Sequence, residues 1–83
     1  MIALTLTQGI IKRIYEICED KHITMNKLCT ICGITQSTLN NIVSGASLNP
    51  TVSTIKKICD GVDMNLCEFF DTDYFNALEQ EIL

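Results

Sequence analysis

The chain has 83 residues, 47% of them apolar and 19% charged, with four glycines and one proline. That is one globular domain burying about 60–65% of its extended surface, with room for a binding face but not for an elaborate catalytic pocket. The formal net charge of −4 counts against a nucleic-acid partner until its distribution is read. Residues 1–57 hold all six basic residues against three acids, a net of +3; residues 58–83 hold the other seven acids and no base, a net of −7. A mildly basic body is joined to an acidic tail.

Five cysteines make an odd count, and Met1 to Gln8 lacks the basic flank and small-residue cleavage site of a leader. The uncharged run from Leu28 to Ile55 is dense in Thr, Ser and Asn and is broken by Gly33, Gly45 and Pro50, so it does not read as a membrane span. Reduced thiols in a cytoplasm are expected.

In chain order, Ile2, Leu4 and Leu6 alternate with smaller residues, a weak strand signal that equally fits an extended arm. Ile10, Ile14, Ile17 and Lys21 share a helical face, and Thr7 is expected to cap a first helix at about 8–21. Thr24 caps a second, Met25 to Cys32, with Leu28, Cys29 and Cys32 inward and Gly33 ending it. Thr35 caps a third, Gln36 to Ser44, with Leu39, Ile42 and Val43 inward. A fourth runs from about Thr51 to Asp60, carrying Val52, Ile55, Ile58 and Cys59. Asn65 with Glu68 three residues on reads as a capping-box variant before Leu66, Phe69 and Phe70. In the tail, Tyr74, Phe75, Leu78 and Ile82 fit a last helix. The expected fold is all-α: five short helices in a compact bundle, plus a short helical tail.

The informative stretch is Thr24 to Ile42. Two capped helices are joined by a short turn that opens on glycine, and the small Cys29 sits where their axes must approach. This is helix-turn-helix geometry, in which the second helix enters the major groove and its first residues meet base edges. Its outward residues, Gln36, Ser37, Asn40, Asn41 and Ser44, are all short hydrogen-bonding groups. A merely solvated helix carries Glu and Lys, which are better helix formers, so this composition asks for a reason. Base readout supplies one.

This stretch resembles the Cro/repressor-type helix-turn-helix family, the Xre family, with a lambda-repressor-like fold. The flanks carry the resemblance from about Gln8 to Phe70: Asn49-Pro50-Thr51-Val52 opens the fourth helix, and Ile55 to Gly61 with Leu66 to Phe70 matches the closing helices. It implies a prokaryotic or phage DNA-binding regulator without catalysis or cofactor, usually a homodimer on an inverted repeat. By position it implies Gln36, Ser37, Asn40 and Asn41 at base edges. Thr24, Asn26, Ser44, Ser47 and Asn49 fall at phosphates, with Lys27 beside them. Residues 1–70 would be the DNA-binding domain and 71–83 an acidic tail, for dimerisation or packing. The interface expected from the apolar stripe is Phe69, Phe70, Tyr74, Phe75 and Leu78, with the arm Ile2 to Leu6 as the alternative.

Three positions depart from the family pattern. Met25 replaces a common Gln, the recognition helix has no Arg or Lys, and Cys18 and Val43 stand where many members pair Arg with Glu. Cys18 and Val43 are therefore expected to meet as an apolar contact. Gln and Asn match adenine, so half-sites rich in A·T are expected. Cys29-Thr-Ile-Cys32 has the spacing of zinc and redox motifs, but no second ligand pair matches it, and core packing is the expectation. The rival function on the same fold is an antitoxin-like or anti-repressor-like module that binds protein.

Overall fold

The computed structural model describes residues 3–46 and 50–82. It is all-helical, with no strand among the described residues: α1 (Leu6–Lys21), α2 (Met25–Cys32), α3 (Gln36–Val43), α4 (Val52–Gly61), α5 (Leu66–Phe70) and α6 (Asp73–Asn76). Each begins at a Thr or Asn whose side-chain oxygen accepts the backbone N–H three residues on, which satisfies one of the first-turn donors.

The caps at Thr24, Thr35 and Asn65 fall where the sequence puts them, and the Asn65–Glu68 capping box is complete; Thr51, expected as the first residue of the fourth helix, is its cap. The first helix starts earlier than expected. Thr5, not Thr7, is its cap, because Gln8 closes a capping box by returning its side-chain oxygen to the Thr5 N–H at 3.0 Å. Leu6 is therefore helical rather than part of an arm, and Ile2 lies outside the described residues. Gly33 ends α2 at φ 67°, a left-handed conformation that favours glycine.

The core is built from Ile10, Ile14, Ile17, Leu28, Leu39, Ile42, Ile55, Ile58, Val62 and Phe69, with Cys18, Cys29, Cys32 and Cys59 among them. The Cys29-x-x-Cys32 pair is thus core, as expected, and its thiols are free. Val52 is not. It sits 70% exposed on the first turn of α4, whereas α2 meets α4 two turns further on, at Ile58 and Gly61. Cys18 is buried but Val43 is only half-buried, and the Cys18 thiol points to Met25 Sδ at 3.7 Å. Two departures from the family pattern, Met25 and Cys18, are therefore neighbours.

The α2–α4 crossing is set by Gly61. A Cβ there would lie 2.5 Å from Cys32 Sγ, 2.8 Å from Cys32 Cα and 2.8 Å from the Ile31 carbonyl oxygen. Arg13 fixes the other side. Its Nε donates to the Phe69 carbonyl at 2.7 Å and its Nη2 to the Glu68 carbonyl at 2.9 Å, satisfying the last acceptors of α5. The tail does not form the long helix read from Tyr74 to Ile82. It makes one turn, α6, and then runs on without helix, leaving Ile82 85% exposed.

Gly61→Ala is expected to cost about 1–3 kcal/mol, since two of the three atoms it would strike are backbone and cannot yield cheaply. Adding Cys32→Ala should recover only part of that cost. Urea denaturation of both variants decides it; full recovery would mean that only the sulfur holds the helices at this distance.

Candidate nucleic-acid interface

Helix α3 presents two faces fixed by the 3.6-residue period. Leu39 and Ile42 are buried against the core, while Gln36, Ser37, Asn40 and Asn41, spaced i, i+1, i+4 and i+5, are all exposed on one side. The four expected base-reading residues therefore share a surface. Thr38 lies at the border, half-buried, and its Oγ1 accepts the Thr35 hydroxyl at 2.9 Å. None of the four outward side chains makes an intrachain hydrogen bond that would have to break before it met a ligand.

The flanking residues are less uniform. Thr24, Asn26 and Lys27 are exposed at the start of α2, which packs on α3. The Thr24 oxygen already accepts the Lys27 N–H at 3.1 Å, so its own proton is what it can still offer. Ser44 is exposed, but its hydroxyl donates to the Asn41 carbonyl at 3.3 Å and accepts from the Ala46 N–H at 3.4 Å. Ser47 and Asn49 lie outside the described residues.

The basic residues of the body are partly engaged elsewhere, which net charge alone cannot reveal. Arg13 is the clamp on α5, with its side chain 13% exposed and Glu16 at 3.8 Å. Lys12 sits over the Tyr74 ring at 4.8 Å, and Lys56 pairs with Asp60 one turn on. Lys21, Lys27 and Lys57 are exposed, and none of them makes an ion pair among the described residues. The acidic groove beside α4 and α5, lined by Lys56, Asp60, Asp63, Asn65, Cys67 and Glu68, has a volume of about 640 Å³ and opens widely to solvent.

The roles of Arg13 and Gly61 and the seat of the tail are not legible in the sequence. No local signal marks Arg13, because its carbonyl partners lie 55 and 56 residues away. Gly61 was visible only as a residue near a helix end.

With this geometry in view, the similarity to known proteins is specific. Residues 13–73 match the family of Cro/C1-type HTH DNA-binding domains, and the chain belongs to that family. It is a DNA-binding regulator of the helix-turn-helix class. Its structure is similar to the crystal structure of the prophage Lp1 protein 11, with a TM-score of 0.79 and 30% sequence identity over 88% of this chain and 96% of that one. No curated protein matches significantly. Among the described residues no helix is long and apolar enough to cross a membrane, and no cluster of His, Cys, Asp or Glu is placed to hold a metal ion.

Burial pushes the Cys32 thiol up to about 11, and raises those of Cys18 and Cys59. A protonated, buried thiol is a poor nucleophile. At neutral pH one thiol per chain, the exposed Cys67, should react promptly with a thiol reagent, and the four buried ones only as fast as the chain opens. Because the folded value for Cys32 exceeds the ordinary 9.0, the native state holds its proton longer, and stability should fall as pH rises from about 9 to about 11. Prompt reaction of two or more thiols would contradict the packing of α2.

Proposed function

We propose that the chain is a sequence-specific transcriptional regulator that reads the major groove with α3, as a homodimer on an inverted repeat. The single observation that supports this best is the shared exposed face of Gln36, Ser37, Asn40 and Asn41 on a helix whose opposite face is locked in the core. A rigid platform carrying amides and hydroxyls is suited to base edges, because each amide offers a donor beside an acceptor. Adenine presents N7 and N6 in the complementary arrangement, so half-sites rich in A·T follow from a helix with no Arg or Lys.

Around this platform, Thr24, Asn26 and Lys27 at the start of α2 hold phosphates, with Ser44, Ser47 and Asn49 following α3. Ser44 has to exchange a local bond to do so, which makes it the weakest of the exposed set. Phosphate contacts fix register and orientation; base contacts choose the sequence. The scarcity of free lysines shifts the balance toward the second kind. With Lys21, Lys27 and Lys57 available on each copy, the log–log salt slope of a dimer is about −5 or shallower, at about 0.9 per phosphate neutralised.

Dimerisation is required by magnitude as well as by resemblance. One short helix reads only a few base pairs, and two-fold symmetry sets a second about 34 Å away along the duplex. The stripe Phe69, Phe70, Tyr74, Phe75 and Leu78 does not lie open as an interface within one chain. Phe69 is fully buried, and Phe70 and Phe75 stack edge-on at 5.0 Å.

Selection from a random duplex pool, followed by footprinting, tests the reading. Two protected half-sites in inverted orientation are expected; a single asymmetric half-site at saturation would remove the dimer, and no selected sequence would favour the antitoxin-like module instead. On the selected site, Gln36→Ala should lose about 1–3 kcal/mol and relax the choice of base at one position. Lys27→Ala should weaken all sequences alike and flatten the salt slope by about one unit. An unchanged ratio of specific to random affinity in Gln36→Ala would pass its role to Asn40 and Asn41.

A further inference from the structure

Two of the helix caps share a pattern that the others lack. Thr35 and Thr51 are each followed three residues on by a second threonine, Thr38 and Thr54. At the other caps the residue in that place is Gln8, Lys27, Glu68 or Phe75. In both pairs the two hydroxyl oxygens bond each other, at 2.9 Å on α3 and 3.0 Å on α4. On α4 either oxygen can be the donor. On α3 the geometry admits one direction, with Thr35 donating and Thr38 accepting.

That direction fixes what each hydroxyl has left. A threonine hydroxyl carries one proton and two lone pairs. The Thr35 proton is used on Thr38, and the Thr35 oxygen also accepts the Thr38 N–H at 3.0 Å. Thr38 keeps its own side-chain proton, which meets no acceptor among the described residues. Accepting one hydrogen bond polarises an O–H and makes it a stronger donor. The Thr38 oxygen lies toward the exposed Thr35 rather than toward the core.

Position decides what such a donor can reach. Thr38 lies in the first turn of α3 and stands one turn before Asn41, at the edge of the face that also carries Gln36 and Ser37. We propose that Thr38 is a further DNA-contacting residue of α3, its hydroxyl oriented by Thr35 to donate to an acceptor atom of the duplex. The inference rests on the major-groove reading above and adds to it a contact of one polarity. The amides of Gln36, Asn40 and Asn41 offer a donor and an acceptor together. A hydroxyl whose oxygen is already engaged by Thr35 is turned to give its proton. The acceptors that suit it are guanine O6 or N7, adenine N7 and thymine O4 in the groove, or a phosphate oxygen at its rim. The amino groups of adenine and cytosine do not suit it, because they are donors themselves.

Three variants of the full chain test this on the selected duplex, each checked as folded by circular dichroism at the assay temperature. Thr38→Val keeps the shape and removes the hydroxyl. Thr38→Ala removes it on a better helix former, which protects the fold, and Thr38→Ser keeps it. Thr38→Val and Thr38→Ala should bind about two- to tenfold more weakly, the worth of one net hydrogen bond, and Thr38→Ser should recover most of the loss. Loss on the selected duplex with random duplex bound as before puts the acceptor on a base edge, and one position of the selected sequence then relaxes. Equal loss on both duplexes at an unchanged salt slope, since the donor is neutral, puts it on a phosphate. Undiminished binding by Thr38→Val and Thr38→Ala overturns the proposal. So does a Thr38→Ser as weak as Thr38→Ala, which would assign the effect to the methyl group. An unchanged Thr38→Val beside a weakened Gln36→Ala removes this contact alone; no change in either removes the reading of α3 with it.

Discussion

The distance between α2 and α4 is the constraint on which the rest of the structure depends. Gly61 lets the end of α4 approach the backbone of α2 closely enough that no side chain fits between them. At that distance the Cys32 thiol reaches the Ile58 carbonyl at 3.5 Å, and Ile55, Ile58 and Cys59 close over Leu28 and Cys32 in one core. Interiors are packed like crystals, so a shift at this crossing is passed to whatever packs on α2. What packs on α2 is α3. The orientation of the exposed polar face of α3 therefore begins at a glycine that lies in another helix.

A second constraint acts through Arg13, which spends its charge inside the molecule. The guanidinium donates to two carbonyls at the end of α5 and lies over the Phe69 ring, its Cζ 6.0 Å from the centroid. Charge-assisted bonds of this kind are worth more than neutral ones and hold a five-residue helix that has little stability of its own. Glu16 extends the network to Tyr74, so α1, α5 and the tail share one set of polar contacts. Burial together with the Glu16 carboxylate pushes the Tyr74 phenol up to about 12. With Arg13 used here, Lys12 over Tyr74 and Lys56 on Asp60, three exposed lysines, Lys21, Lys27 and Lys57, are left without such a partner.

The cysteines show how one residue type serves different ends within a small domain. Four of the five are small apolar fillers where helices meet, and their thiols find soft partners: Met25 Sδ for Cys18, the Thr35 carbonyl for Cys29 and the Ile58 carbonyl for Cys32. The motif spacing of Cys29 and Cys32 follows from the helical period, which turns both toward the core. The Met25–Cys18 pair likewise accounts for two departures from the family pattern with a single contact.

How much was legible in the sequence follows from the range of the interactions involved. Caps are local: Thr24, Thr35 and Asn65 act on N–H groups three residues away, so the starts of their helices are legible in the sequence. The sidedness of α3 is local too, since its period alone turns Leu39 and Ile42 inward and Gln36, Ser37, Asn40 and Asn41 outward. Thr5 was missed because Thr7 competes with it, and only the capping box with Gln8 decides between them. Val52 shows the limit of periodicity, which assigns a face but cannot say where the neighbouring helix stops covering it. Arg13, Gly61 and the tail lay beyond reach altogether, because their partners are tens of residues away and the contacts exist only once the chain has closed. The sequence by itself determined the helices α2 to α5 and the outward face of α3; the tertiary structure decided which cations remain free and where the tail rests, because both depend on long-range neighbours.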